Sequence, residues 1–229
     1  EAVKREVESE ILDELSGDDP RALRSRRDLR MINFLMGNER WIRRQEFEGG
    51  IVELGAGSGD LTIKLREKGK VIGLDLQTAP PGLEDEWISG DLFETLEEAE
   101  GNTVVANLIL HHFQDDALRE LGELLRKRRR LVMVEPWRSR VALAEGYALW
   151  PLVNQVTRHD MMVSIRAGFR RGELPRLLKL GNDWEWKEEV SLLGGIRVLA
   201  WRVWKPLKLR EGVWRDFLWE LLCVGWRFR

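Results

Sequence analysis

Apolar positions along the first fifty residues recur at helical rather than strand spacing, with Leu23, Leu29, Ile32, Leu35 and Met36 as the clearest series. Gly17-Asp18-Asp19-Pro20 precedes them and reads as loop, cap and a proline at the first helical position. Gly37-Asn38 ends that helix, and Glu39 to Gln45 reads as another short one. Residues 1–48 are therefore predicted to form a helical N-terminal extension that serves as a lid. At Ile51 the pattern changes. The run Ile51-Val52-Glu53-Leu54 leads into Gly55 to Gly59, and Leu61 to Lys68 looks helical. Val71 to Leu74, Trp87-Ile88, Thr103 to Asn107 and Leu131 to Glu135 read as further strands, with a turn at Pro80-Pro81-Gly82 and a helix from Asp115 to Arg128. Strands joined by short helices imply a parallel sheet with right-handed crossovers. After Pro136, residues 139–157 and 172–180 read as helices. Trp184 to Leu192 and Ile196 to Trp204 alternate like two strands around Gly194-Gly195, a hairpin signal. Five parallel strands closed by an antiparallel hairpin make a mixed, doubly wound α/β sheet.

Length and composition agree with one such domain and a modest attachment. The chain has 229 residues, 43% of them hydrophobic and 33% charged, which suits a globular protein rather than a disordered one. Its 37 basic and 39 acidic residues give a net charge of −2 and no global electrostatic reason to bind nucleic acid. Charge is nevertheless segregated: residues 1–19 carry eight acids against two bases, and residues 20–44 carry eight bases against two acids. The single cysteine, Cys223, excludes an internal disulfide framework and a cysteine-based zinc site. With neither a signal-peptide pattern nor an apolar run of about twenty residues, a cytoplasmic setting is expected. Eleven tryptophans stand against one tyrosine, and those in strand-like segments (Trp184, Trp186, Trp201, Trp204) are expected to pack in the core.

The chemistry concentrates at Glu53-Leu54-Gly55-Ala56-Gly57-Ser58-Gly59-Asp60, where the first strand turns into the first helix of the sheet. Glycines there permit a tight turn and a close approach of ligand to backbone beside a helix N-terminus. A dinucleotide fingerprint wants its third glycine at the sixth position, which is Asp60 here. An aspartate at the helix start would repel a pyrophosphate. Asp75 ends the second strand and can accept both hydroxyls of a ribose, and Asp91 ends the third and can receive an adenine amino group.

This series resembles the cofactor site of the class I S-adenosylmethionine methyltransferases over residues 51–204. The resemblance implies a Rossmann-like, seven-stranded mixed sheet of order 3-2-1-4-5-7-6, with S-adenosylmethionine as cofactor. It also implies that Glu53 meets the methionine amino group, that Gly55, Ala56, Gly57 and Gly59 pack against the methionine part, and that Asp75 takes the ribose, with Leu76 also at the cofactor. Asp91 would then help hold adenine, with Leu92 and Asn107 among the cofactor-binding residues. Asn107-Leu108-Ile109-Leu110-His111-His112-Phe113 is similar to small-molecule and quinone-type members. Val134-Glu135-Pro136-Trp137-Arg138-Ser139-Arg140 and the segment from Arg158-His159-Asp160 to Phe169 resemble a bacterial subgroup associated with polyketide-like products.

What the chain lacks narrows the acceptor. It has no Asn/Asp-Pro-Pro-Tyr/Phe after the fourth strand, as methylation of base amino groups usually requires, and no cysteine nucleophile near the site for cytosine C5. The acidic cluster of metal-assisted catechol methylation is also missing from that strand, so no metal is expected. Methyl transfer to oxygen or carbon of a small, aromatic or polyketide-like acceptor remains. Such transfer needs alignment, exclusion of water and, for a protonated nucleophile, a base. The three histidines are the candidates: His159 beside Asp160 as base, with His111 or His112 shaping the site. The basic run Arg126 to Arg130 reads as a solvated turn. Residues 49–204 form the expected cofactor domain. The amphipathic tail 205–229, with Trp214, Phe217, Leu218, Leu221 and Leu222 on one face, is expected to dock on the domain or a partner rather than a membrane. Rival readings are an RNA or protein methyltransferase, for which the basic stretch 20–44 speaks, and a non-catalytic cofactor-binding subunit.

Overall fold

A computed structural model describes residues 3–203; Trp204, Cys223 and the whole predicted tail lie outside them. Seven strands form one sheet: β1 (Ile51–Leu54), β2 (Val71–Asp75), β3 (Trp87–Ser89), β4 (Thr103–Asn107), β5 (Arg130–Pro136), β6 (Trp184–Val190) and β7 (Gly195–Arg202). Their order is β3-β2-β1-β4-β5-β7-β6. The first five run parallel, and β7 pairs antiparallel with both β5 and β6. This is the predicted order.

Each central strand is buried along its whole length because both faces of the sheet are covered, which accounts for the near-continuous apolar runs of β1, β4 and β5. Val52, Leu54, Val104, Ala106, Leu131 and Met133 face one core, and Ile51, Val105, Val132 and Val134 face the other, as the two-residue period of a strand requires. Helix α6 (Asp115–Leu125) closes the first core with Leu118, Leu121 and Leu125, all buried on one stripe. Gly122 on that stripe lets the helix touch the next layer directly. A Cβ there would lie 2.1 Å from the carbonyl oxygen of Leu178. The second core is covered by α3 (Asn38–Arg43) and α4 (Asp60–Leu65), through Ile42, Leu61 and Leu65.

Several expectations need correction. The helix read over 139–157 is two: α7 (Arg140–Leu149) ends in a short 3-10 turn at Trp150–Leu152, and Asn154 caps a new helix, α8 (Gln155–Ala167), by accepting Thr157 N–H. Pro151 follows the last residue of α7 closely and cannot supply the N–H that would continue it. A helix absent from the sequence reading, α5 (Leu92–Glu98), follows β3 and is capped by Asp91. The region read as 172–180 contains only α9 (Glu173–Leu177) as helix. Trp184 packs in the core, but Trp186 is 40% exposed.

The N-terminal extension begins without helix. Residues 3–10 are irregular and are followed by a single turn, α1 (Ile11–Glu14), and then by α2 (Pro20–Met36), for which Asp19 is the N-cap as predicted. The apolar series of α2 is only partly buried: Met36 is buried and Leu29 and Ile32 half-buried, but Leu23 and Leu35 are exposed, while Ala22 and Ser25 are buried. Polar bonds add to that packing. Ser25 and Thr157 hydroxyls lie 2.9 Å apart, and Asp28 Oδ2 accepts the Asn154 N–H at 2.8 Å, which fixes α2 to α8. Arg5 ties the preceding segment down by donating to Asp115 and to the carbonyls of Phe113 and Ala167. No helix among the described residues is long and apolar enough to cross a membrane.

Candidate active site

The carboxyl ends of β1, β2, β3, β4 and β5 bring together nearly every residue singled out in the sequence. In the glycine loop, Gly55, Gly57 and Gly59 all have positive φ (62°, 56° and 74°), which L side chains adopt at a cost. Their surroundings differ. A Cβ at Gly55 would sit 2.6 Å from Ile109 Cγ1, and one at Gly59 would sit 2.3 Å from Leu83 Cδ1. Among the described residues nothing lies within 4 Å of a Cβ at Gly57. Two glycines are therefore demanded by packing, and the third stands at an open face.

Glu53 lies under this loop, 3% exposed, where its Oε2 accepts the Thr62 hydroxyl of α4 at 2.6 Å. Burial pushes its carboxyl up to about 8. The Thr62 hydroxyl opposes that rise, and the charges of Asp75 and Asp60 add to it. Asp75 accepts the N–H of Gly57 at 2.8 Å through one oxygen and that of Gln77 at 2.9 Å through the other. Leu76, the next residue, is 78% exposed, an apolar side chain held in solvent at the strand end. Asp91 Oδ1 accepts Phe93 N–H at 2.8 Å, so the acid assigned to adenine is also the cap of α5. Leu92 beside it is half-buried.

At the end of β4, Asn107 Oδ1 is buried without a hydrogen-bond partner among the described residues, and the next residue, Leu108, has φ 59°. A left-handed leucine is strained, and it is held by its N–H bond to Val134 O at 2.8 Å. The chain then makes a 3-10 turn, Leu110–His112, around the carboxylate of Glu135 from β5. Glu135 is fully buried and accepts the backbone N–H groups of Ile109, Leu110 and His111 at 3.1, 2.8 and 3.2 Å.

Glu135 also meets His111 Nδ1 at 2.8 Å, while His111 Nε2 faces Glu10 Oε1 at 3.7 Å. Burial alone would lower the His111 pKa, but Glu10 and Glu135 outweigh it and push it up to about 9. The neighbouring ring of His112, with centroids 4.3 Å apart, is lowered by burial and by the charge of His111. His159 lies on α8, which packs on the same turn. Its Nδ1 is 3.0 Å from Asp160 Oδ1, so the anticipated histidine–carboxylate pair forms, and the ring remains half exposed. Asp160 is itself buried and accepts the N–H groups of Ile11 and Leu12 at 2.9 and 3.0 Å. The pair thus stands where the N-terminal segment crosses α8.

No protein-family model matches the chain, and no curated protein does either. Solved structures do match its architecture. The plantazolicin methyltransferase BpumL, in complex with a triazolic desmethylPZN analogue and SAH, superposes with a TM-score of 0.59 at 10% identity, over 81% of this chain and 92% of that one. The fold is that of the class I methyltransferases. The pyocyanin biosynthetic protein PhzM (TM-score 0.54, 21% identity, 81% of this chain and 60% of that one) shares it. So does the mitomycin 7-O-methyltransferase MmcR (0.53, 17%, 84% and 60%).

Within this fold, three residues that contact the candidate site residues escaped the sequence reading. Thr62 carries no signal beyond its place one turn into α4. Glu135 does carry one, as the only acid in the apolar run Leu131 to Pro136, since a charge in a buried strand must be paired. Glu10 comes from a segment rich in acids, and nothing local distinguishes it from Glu6 or Glu8.

Proposed function

We propose that the chain is an S-adenosylmethionine-dependent methyltransferase acting on oxygen or carbon of a small, aromatic or polyketide-like acceptor. The observation that carries this reading is the open glycine loop with Glu53 beneath it and Asp75 bonded to Gly57 at its edge. The residues suit that cofactor. Glu53 is a buried carboxyl with no cation beside it and is offered to the methionine ammonium. Asp75 is offered to the ribose hydroxyls, Leu76 and Leu92 with Asp91 to adenine, and the orphan Asn107 Oδ1 to a donor at the reacting end. The crystallised BpumL complexes contain SAH, and MmcR is by its name a 7-O-methyltransferase, which supports the same cofactor and acceptor class here.

When bound, S-adenosylmethionine supplies an electrophilic methyl group. The chain's own work is alignment, exclusion of water and proton removal. Residues 1–48 and 140–182 enclose the acceptor in this reading. His159 is the base, oriented by Asp160, and His111 and His112 shape the floor. His111 is unsuited to be the base because both ring nitrogens face carboxylates.

An RNA-modifying role draws little support from the basic run. Arg126 pairs with Glu123, Lys127 with Glu97 and Arg129 with Glu48, while Arg128 donates to the carbonyls of Leu96, Ala99 and Gly101. Titration calorimetry tests the reading at its base: SAH should bind in the micromolar range and NADH not at all. Binding of NADH with no binding of SAH would replace it with a dinucleotide-linked activity.

A further inference from the structure

We infer that Glu10, His111 and His112 form a binding site for one divalent transition-metal ion of the zinc class, which clasps the N-terminal segment onto the turn after β4. One ligand atom from each residue lies within 4.8 Å of the others. The geometry of the best-defined pair suits a shared ion better than a direct bond. His111 Nε2 and Glu10 Oε1 are 3.7 Å apart, too far for a hydrogen bond. Two ligands each about 2.0–2.1 Å from a tetrahedral zinc lie about 3.3 Å apart, so the observed separation is reached with a small closure.

The surroundings are those of a metal-binding histidine. His111 turns Nδ1 to Glu135 at 2.8 Å, which leaves Nε2 directed at Glu10, and a carboxylate behind the ring raises the basicity of the ligating nitrogen. Glu135 is in turn fixed by three backbone N–H groups, so the ring has no freedom to rotate away. Glu10 is held from the other side by the Ser164 hydroxyl.

Charge points the same way. Glu10, Asp13 and Glu135 bring three carboxylates to the two imidazoles, two of them buried, and a proton on His111 offsets only one of those charges. The nearby cation, Arg5, is spent on Asp115 and on backbone carbonyls. A buried excess of negative charge is costly, and a divalent cation offsets it. Two imidazoles and one carboxylate favour zinc, cobalt or iron over magnesium and calcium, which prefer all-oxygen sets. Three protein ligands leave a coordination position open. This site shares His111 and His112 with the floor of the proposed acceptor pocket, but its test reads metal binding and does not depend on methyl transfer.

The test uses the full chain carrying Cys223→Ser, so that thiolate ligation cannot contribute, stripped with a chelator and titrated with Co²⁺ and Zn²⁺. One ion per chain is expected, with the visible absorption of four- or five-coordinate Co²⁺ and displacement by Zn²⁺. Glu10→Gln and His112→Ala should each weaken binding at least tenfold, and Glu135→Gln should weaken it about 10–100-fold as a residue acting through His111. The ion should also slow proteolysis within residues 1–19. Failure of the folded parent chain to bind either ion at micromolar concentration overturns the inference. Binding that survives unchanged in the Glu10→Gln/His112→Ala double variant overturns it as well.

Discussion

Asp75, the last residue of β2, accepts the backbone N–H of Gly57 at 2.8 Å, so the acid assigned to the ribose also holds the crown of the glycine loop. Exchange of that bond for ribose hydroxyls on binding would couple the loop to the ligand. Asp75→Ala should therefore weaken SAH by roughly 1.5–3 kcal/mol through lost charge-assisted bonds. Unchanged affinity in titration calorimetry would remove Asp75 from the site.

The three loop glycines should separate into two classes. Gly57→Val should abolish SAH binding while the circular dichroism stays native. Its side chain meets open space, and the left-handed backbone costs about 1–2 kcal/mol. Gly55→Ala and Gly59→Ala should instead lower the melting temperature further, because Ile109 and Leu83 must move. Normal binding by folded Gly57→Val would make these glycines turn formers only.

How much of this was legible without coordinates depended on periodicity. The strands announced themselves because β1, β4 and β5 are buried on both faces and so read as unbroken apolar runs. Asp19-Pro20 and Gly37 marked the ends of α2 by their backbone chemistry alone. What failed was part of the apolar face of α2: Leu23 and Leu35 stand in solvent, and polar bonds from Ser25 and Asp28 do much of the docking. Helix α8 was hidden because its buried face mixes Thr157 and Asp160 with Val156 and Met162, and such a face has little apolar period. Of the motif acids, Asp75 ends β2 as read, Glu53 lies within β1, and Asp91, read as ending the third strand, stands two residues beyond β3 as the cap of α5. The clustering of Glu10 with His111 joins positions about a hundred residues apart, which no local pattern encodes.

Cofactor affinity should depend on pH through Glu53. Its folded pKa of about 8 stands above the ordinary 4.5, so the protein alone retains a proton there in that window. The associated stability is complete below about 4.5 and is lost as pH rises toward 8. An ammonium beside Glu53 reverses the shift, so binding expels that proton. SAH affinity should rise between about pH 6 and 8, by at most about tenfold per unit, and then level off. Calorimetry in buffers of different ionisation enthalpy should report proton release that Glu53→Gln abolishes. A flat profile in the parent would place the ammonium elsewhere.

His159→Ala should lower the rate roughly 10²–10⁴-fold and leave SAH affinity unchanged, because the base faces the acceptor rather than the nucleoside. Parent-like turnover by His159→Ala would leave alignment, or an acceptor already ionised, as the source of the rate.

The central claim is methyl transfer, and it is met most directly by incubating the chain with S-adenosylmethionine labelled in its methyl group and a metabolite extract rich in phenols and polyketides. Mass spectrometry should find a small-molecule product that has gained one labelled methyl group, together with an equal amount of S-adenosylhomocysteine, and neither should form with Gly57→Val. If the chain binds the cofactor but moves label to no small molecule, and instead labels added RNA or protein or nothing at all, the small-molecule methyltransferase reading is contradicted.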